Sequence, residues 1–175
     1  MNRGIEMRIA VIGVLLTIVH ILEVTVFDAL RIGGVSANFM VMIIVSFALL
    51  RGSKEGLCVG AFAGILYDIT FGTMLGPKLI TYALIGYVCG KFNKNFYREN
   101  FIIPFLCTLF SSLFANFSSM FLFIMRGKLN IIFFLKTIII PELIYTVTLS
   151  LLVYQLTYMI NERLELHERK TRNIF

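Results

Sequence analysis

Polar residues divide the chain into six apolar segments, separated by short clusters of charged residues, glycine and proline. The segments cover residues 9–27, 37–50, 57–71, 79–90, 101–125 and 137–160. About 20 apolar residues are enough for an α-helix to cross a hydrocarbon core of roughly 30 Å. The pattern therefore predicts an all-α polytopic membrane protein with six transmembrane helices. Residues 1–175 form a single transmembrane domain in this interpretation, with 161–175 as a polar cytoplasmic tail.

The second, third and fourth segments are short for complete crossings. Backbone polar groups without partners are not tolerated against lipid. We therefore expect these helices to extend into their loops or to be shielded by the longer helices. Three cations in residues 126–136 flank an apolar stretch that is also compatible with a short interfacial helix. Five crossings are the alternative to six.

Composition supports a membrane protein over a soluble one. Hydrophobic residues make up 58% of the chain, charged residues 15%, and the mean hydropathy is +0.87. Soluble domains have about half apolar and about a quarter charged residues. The net charge of +6 comes from residues at the segment ends. Topology and anionic lipid headgroups explain charges in that position better than nucleic acid does.

The distribution of cations predicts the orientation in the membrane. With six crossings, eleven of the 16 Lys and Arg residues lie on the side that holds both termini, and five lie on the other. Cytoplasmic loops carry the excess of Lys and Arg. Both termini are therefore predicted to be cytoplasmic.

Small residues recur at every fourth position in the third and fourth segments. The glycines in this pattern are Gly56, Gly60, Gly64 and Gly72, followed by Gly86 and Gly90. Such spacing lines one face of a helix and allows another helix to approach closely. Two interpretations remain open, either packing between helices of this chain or a groove for a partner.

Four ionisable residues inside or beside the apolar segments are candidate functional residues, namely His20, Glu23, Asp68 and Glu142. Charged groups in membrane helices are costly and usually face protein or water. His20 and Glu23 share a helical face, and either a contact between helices or a partner contact would explain them. Asp68 is suited to cap the following loop, and Glu142 follows Pro141 in a first helical turn.

Catalytic, cofactor and metal sites are not predicted. No nucleophile–base pair or phosphate loop stands at usable spacing. The three cysteines (Cys58, Cys89 and Cys107) lack the spacing of a metal site or a disulfide framework. Phe110, Phe114, Phe117 and Phe121 form a stripe on the fifth segment that faces either lipid or a partner helix. The chain is therefore expected not to be an enzyme.

Several stretches, taken in order, closely resemble the MreD family of rod shape-determining membrane proteins. They are RGSKEG at 51–56, GAFAGILYD at 60–68, YALIGY at 82–87, YREN at 97–100 and PELIY at 141–145. The resemblance covers about residues 38–155. The chain departs from the family where Ala37-Asn38 replaces Pro-Asp, where Asn116-Phe117 replaces Tyr-Glu, and where Thr146 replaces Asn.

The resemblance implies a component of the cell-elongation complex in the bacterial plasma membrane. Such a protein binds the bitopic protein MreC and is connected indirectly to MreB filaments, to RodA and to a penicillin-binding protein. The implied fold is similar to the six-helix substrate-binding subunit of energy-coupling-factor transporters. A vitamin-binding subunit of such a transporter is accordingly the alternative function.

The predicted topology can be tested with reporter fusions. Alkaline phosphatase fused after Ile160 should be inactive, because the excess of cations retains that end in the cytoplasm. The same reporter inserted between Gly72 and Pro77 should be active. The opposite pattern of activities would exclude the six-helix topology.

Overall fold

The computed structural model describes residues 3–29, 35–71, 76–95, 102–125 and 135–172. Within these ranges the chain forms six α-helices, which confirms the predicted all-α class. They are α1 (Arg3–Ala29), α2 (Phe39–Arg51), α3 (Ser53–Phe71), α4 (Pro77–Lys91), α5 (Ile102–Met125) and α6 (Ile140–Arg172). A short 3₁₀ turn, Phe92–Asn95, follows α4, and a π-helical turn, Leu135–Ile139, precedes α6.

Two helical stretches in the described residues are long and apolar enough to cross a membrane. They are Ile102–Phe121 in α5 and Leu135–Leu164, which includes most of the apolar part of α6. Ile9–Thr25 in α1 and Phe39–Arg51 are apolar but shorter. Six crossings therefore remain a prediction, and residues 161–172 continue α6 as a helix.

The centre of the bundle is α2. All ten residues from 40 to 49 are buried, and α2 packs against each of the other five helices. A helix that is apolar around its whole circumference belongs in an interior. The polar side chain in this stretch, Ser46, donates to the Met42 carbonyl at 2.7 Å. The other helices thus shield this short segment from lipid.

Both ends of α2 have hydrogen-bond partners from this chain. At the N-terminus, Asn38 Oδ1 accepts from the Val41 N–H at 3.0 Å. At the C-terminus, Gly52 has a positive φ of 92° and donates its N–H to the Ala48 carbonyl at 2.8 Å. The side chain of Asn93 donates to the Leu49 carbonyl at 2.5 Å. Helix ends leave backbone groups unpaired, and these contacts satisfy several of them without water.

Helices α3 and α4 are antiparallel and touch through their backbones. A Cβ on Gly60 would lie 2.7 Å from the carbonyl carbon of Tyr82, and one on Gly64 would lie 2.7 Å from the Leu79 nitrogen. Gly56 and Gly86 face each other in the same contact, and Gly90 faces Ser53. Any side chain at these glycines would push the two helices apart, since the atoms it would meet are backbone atoms.

The α3–α4 contact predicts different effects for two equivalent substitutions. Gly60→Ala should lower the free energy of unfolding by roughly 1–3 kcal/mol, as overpacking of a close contact does. Gly13→Ala on α1 is the matched control, because its Cβ would lie 3.9 Å from the Phe62 ring, an ordinary contact. That change should be neutral or stabilising by up to about 1 kcal/mol. Thermal unfolding in mild detergent would compare them, and equal stability of the two variants would contradict the prediction.

A buried polar cluster as the candidate functional site

Side chains from five helices and from Asn38, the N-cap residue of α2, meet at the end of the bundle where α2 and α4 begin. We call this group the polar cluster. Its members are Glu23 on α1, Asn38 before α2, Tyr67 and Asp68 on α3, Lys78 and Tyr82 on α4, Asn116 and Ser119 on α5, and Glu142 and Thr146 on α6. The cluster brings together three of the four predicted ionisable residues, with His20 close by.

Asp68 is the best-satisfied member of the polar cluster. Its side chain is only 4% exposed, and its carboxylate accepts backbone N–H groups from Gly76 at 2.9 Å, Lys78 at 3.2 Å and Leu79 at 3.1 Å. Gly76 occupies the N-cap position of α4 and has no side chain to serve as a cap, and Pro77 has no N–H. Asp68 therefore caps α4 from the neighbouring helix and places its charge at the positive end of that helix.

Lys78 supplies the positive charge of the cluster. Its Nζ donates to the Ser119 hydroxyl at 2.7 Å and lies 5.0 Å and 5.4 Å from the ring centroids of Tyr67 and Tyr82. Cations are attracted to aromatic faces at such distances. The carboxylates of Glu142, Asp68 and Glu23 attract the same ammonium group. Lys78 thus links α4 to α5 through a hydrogen bond and lies within the electrostatic field of acids on three other helices.

Two asparagines connect α2, α5 and α6 around Glu142. The side chains of Asn116 and Asn38 lie within hydrogen-bonding reach of the Glu142 carboxyl. The backbone N–H of Asn38 donates to the Thr146 hydroxyl at 3.1 Å. Three positions at which the chain departs from the family pattern, Asn38, Asn116 and Thr146, therefore meet in one place. Asn38 and Thr146 are hydrogen bonded to each other between helices, whereas the side-chain amide of Asn116 donates to the Ser112 carbonyl of its own helix at 3.1 Å.

His20 and Glu23 share a face of α1 but contact different helices. His20 Nε2 is 2.7 Å from the Thr70 hydroxyl on α3, while its Nδ1 is buried without a hydrogen-bond partner. The Glu23 carboxyl faces the backbone N–H groups of Phe39 and Met40 at the start of α2, and its Oε2 is buried without a partner. Glu23 thus offers a hydrogen-bond acceptor at the start of α2, but it is less fully paired than Asp68.

The chemistry of the polar cluster is that of a connector between helices. Three carboxyl groups, one ammonium group and several amides and hydroxyls hold α1 to α6 in one arrangement. In the ranges that the structure describes, no group of three or more His, Cys, Asp or Glu side chains is placed to hold a metal ion. Interactions of this kind are strengthened by a low-dielectric surrounding, where a polar group without a partner is costly.

The remaining predicted residues lie in the α3–α4 contact. Gly56, Gly60, Gly64, Gly86 and Gly90 are each covered by the opposing helix. Gly72 lies outside the described residues. A partner helix therefore has to pack on another surface of the folded chain. The assignment of these glycines to a functional site stays a prediction.

Lys78, Tyr67 and Tyr82 join the cluster although they were not predicted as site residues. Lys78 follows Pro77 directly and, in the sequence, is counted only as a cation of the outer side. The sequence did contain one indication that Lys78 belongs to the site: it follows Asp68 by only ten positions, with a short Gly/Pro-containing stretch between them, so the two residues must be close. Tyr67 and Tyr82 carried no such signal, because tyrosines in apolar segments are common at membrane interfaces.

One comparison with known proteins identifies a family. The family model described as rod shape-determining protein MreD matches residues 1–162. No curated protein and no solved structure matches the chain. The expected likeness in fold to the substrate-binding subunit of energy-coupling-factor transporters therefore stays a prediction.

Substitutions of Asp68 should show whether it stabilises the fold through its hydrogen bonds to α4 or through its negative charge. Asp68→Asn keeps one oxygen that can accept a backbone N–H, so we expect a mild loss of about 1 kcal/mol, typical of a weakened cap. Asp68→Leu leaves the three N–H groups unpaired and should cost more, about 1–3 kcal/mol for each buried donor left without an acceptor. Thermal unfolding would measure both, with Glu162→Gln on the exposed part of α6 as the control. Equal losses for Asn and Leu would contradict the capping role.

Proposed function

Because the chain belongs to the MreD family of rod shape-determining proteins, we propose that it is a non-enzymatic membrane scaffold of the bacterial cell-elongation complex. It binds an MreC-type bitopic membrane protein and is connected indirectly to MreB, to RodA and to a penicillin-binding protein. In this role it helps to localise peptidoglycan synthesis and so maintains cell shape. The observation that carries the proposal is the family match over residues 1–162.

The architecture suits a scaffold because its polar groups are used inside the bundle. The polar cluster and the α3–α4 contact fix the arrangement of the helices, and many large apolar side chains are exposed on the outer faces. On α6, Ile144, Leu152, Leu156 and Met159 are each more than half exposed and lie roughly along one side. That stripe extends over about 22 Å of helix. A single helix of a bitopic partner can pack along such a surface.

The partner helix would bind by close packing and not by the hydrophobic effect. Lipid tails are as apolar as the side chains of the stripe, so association inside a membrane depends on van der Waals contact and on interhelical hydrogen bonds. A preformed bundle favours such binding, because little conformational entropy is lost when a rigid surface is covered. A bundle with loosened helices should therefore bind the partner less well.

Copurification and depletion test the scaffold proposal together. Affinity purification of the chain in mild detergent should recover an MreC-type protein, and depletion in a rod-shaped bacterium should give rounded cells that still incorporate new wall material. Complementation with Gly13→Ala should restore rods. Gly60→Ala should restore them less well at equal protein level, because the helices of its bundle are displaced. Light microscopy with a fluorescent cell-wall label provides the readout.

One result would favour the alternative function over the scaffold. If depleted cells kept their rod shape and lost uptake of a vitamin, the chain would be a substrate-binding subunit of an energy-coupling-factor transporter. Copurification of a vitamin in place of a membrane protein would support the same conclusion. A binding subunit requires polar groups that converge on an enclosed pocket, and the polar cluster is the place where such a ligand would be sought.

A further inference from the structure

An apolar groove of about 660 Å³ runs along the outside of the bundle between α4 and α5. Six exposed side chains form most of its wall: Leu84 and Val88 from α4, Phe92 from the 3₁₀ turn that follows it, and Leu106, Phe110 and Phe114 from α5. The groove is separate from the polar cluster and plays no part in the function proposed above. Its volume is within the range of roughly 300–1,000 Å³ that is usual for small-molecule sites.

The polar atoms in the groove are already paired. Cys89 and Ser111 belong to its lining and are both buried, and their side chains are hydrogen bonded to each other at 3.2 Å. A ligand would therefore meet hydrocarbon and aromatic surface along the groove and would find few polar groups to bind. The chemistry favours an occupant that is apolar where it lies between the helices.

The length of the groove distinguishes between a lipid chain and a helix. Along α4 and its end, the lining extends eight positions from Leu84 to Phe92, or about 12 Å of helix. Along α5 it extends eleven positions from Ile103 to Phe114, or about 16 Å. Half of a hydrocarbon core of roughly 30 Å is about 15 Å. The groove therefore matches one leaflet. A crossing helix, about 10–12 Å wide, needs twice this length and a larger volume.

The groove has a positive charge beside one of its ends. Phe92 lies where α4 ends, and Ile103 lies in the first turn of α5, so this end of the groove coincides with the ends of both helices. Lys91 is exposed there, with its Nζ 4.7 Å from the ring centroid of Tyr87. Basic residues at helix ends attract anionic headgroups. Lys91 is not part of the lining but directly precedes Phe92, so its long side chain can reach a headgroup at this end of the groove.

We propose that the α4–α5 groove binds one acyl chain of an anionic phospholipid and that Lys91 holds its phosphate-bearing headgroup. The evidence is the match of the groove to one leaflet, its apolar lining and the cation at its end. The site is a specific one, in contrast to the general lipid contact of the outer face of α1. Its occupant fills a gap between two helices and so supports their packing.

Photolabelling of the full chain in lipid nanodiscs tests the location of the site. The probe is phosphatidylglycerol with a diazirine in one acyl chain, and the labelled peptides are identified by mass spectrometry. We expect the label to concentrate in residues 84–92 and 103–114. Labelling spread over α1 and α6 in proportion to their exposure would overturn the proposal. Loss of groove labelling when a copurifying membrane protein is retained would also overturn it, and would make the groove a protein-docking surface.

Matched variants test the two halves of the site. Val88→Trp fills the groove and should reduce the labelling of residues 103–114, whereas Ile18→Trp, a control at an equally exposed position on α1, should not. Lys91→Gln should lower the preference for phosphatidylglycerol over phosphatidylcholine with the same chains by about fivefold, as expected for one interfacial cation. Lys54→Gln, another exposed cation, is its control. An unchanged preference in Lys91→Gln, or equal effects of a variant and its control, would overturn the proposal.

Discussion

The close contact between α3 and α4 is the interaction on which the rest of the bundle depends. The glycines of both helices bring the two backbones together, and Asp68 on α3 supplies the carboxylate that caps α4. Neither feature can be replaced by water in an apolar surrounding, where each unpaired backbone group is costly. Because α3 and α4 form one unit, Tyr67, Lys78 and Tyr82 have fixed positions, and the acids of the other helices can gather around Lys78.

The buried position of α2 follows from the same constraint. A short apolar helix can lie among longer ones only if its ends find partners in the protein. Asn38 and Glu23 provide them at one end, and Asn93 at the other, where Arg51 also contacts Asn161 on α6. Among the described residues, both ends of α2 thus have polar partners from other parts of the chain.

This arrangement, in which an apolar core is joined by polar contacts at the helix ends, is consistent with a family whose members determine cell shape. A scaffold has to present a constant surface to its partners, and hydrogen bonds and backbone contact inside the bundle provide that constancy. We propose different occupants for two of the outer surfaces. A long stripe on α6 is suited to a helix, whereas the shorter groove between α4 and α5 is suited to a lipid chain. The two surfaces can be occupied at the same time.

The sequence by itself determined the all-α class, the family and the ionisable residues that are costly to place in a membrane. These can be read from the chain because the length of an apolar segment, the order of motifs and the position of a charge within a segment are local properties. It also indicated which faces of α3 and α4 are lined by small residues. Only the tertiary structure decided that these two faces cover each other, that α2 is central, and that Glu23, Lys78 and Glu142 meet although they lie on three different helices. The physical reason is that helical spacing defines the face of a residue but not which helix packs against that face. That choice depends on the rotation and the order of all six helices together.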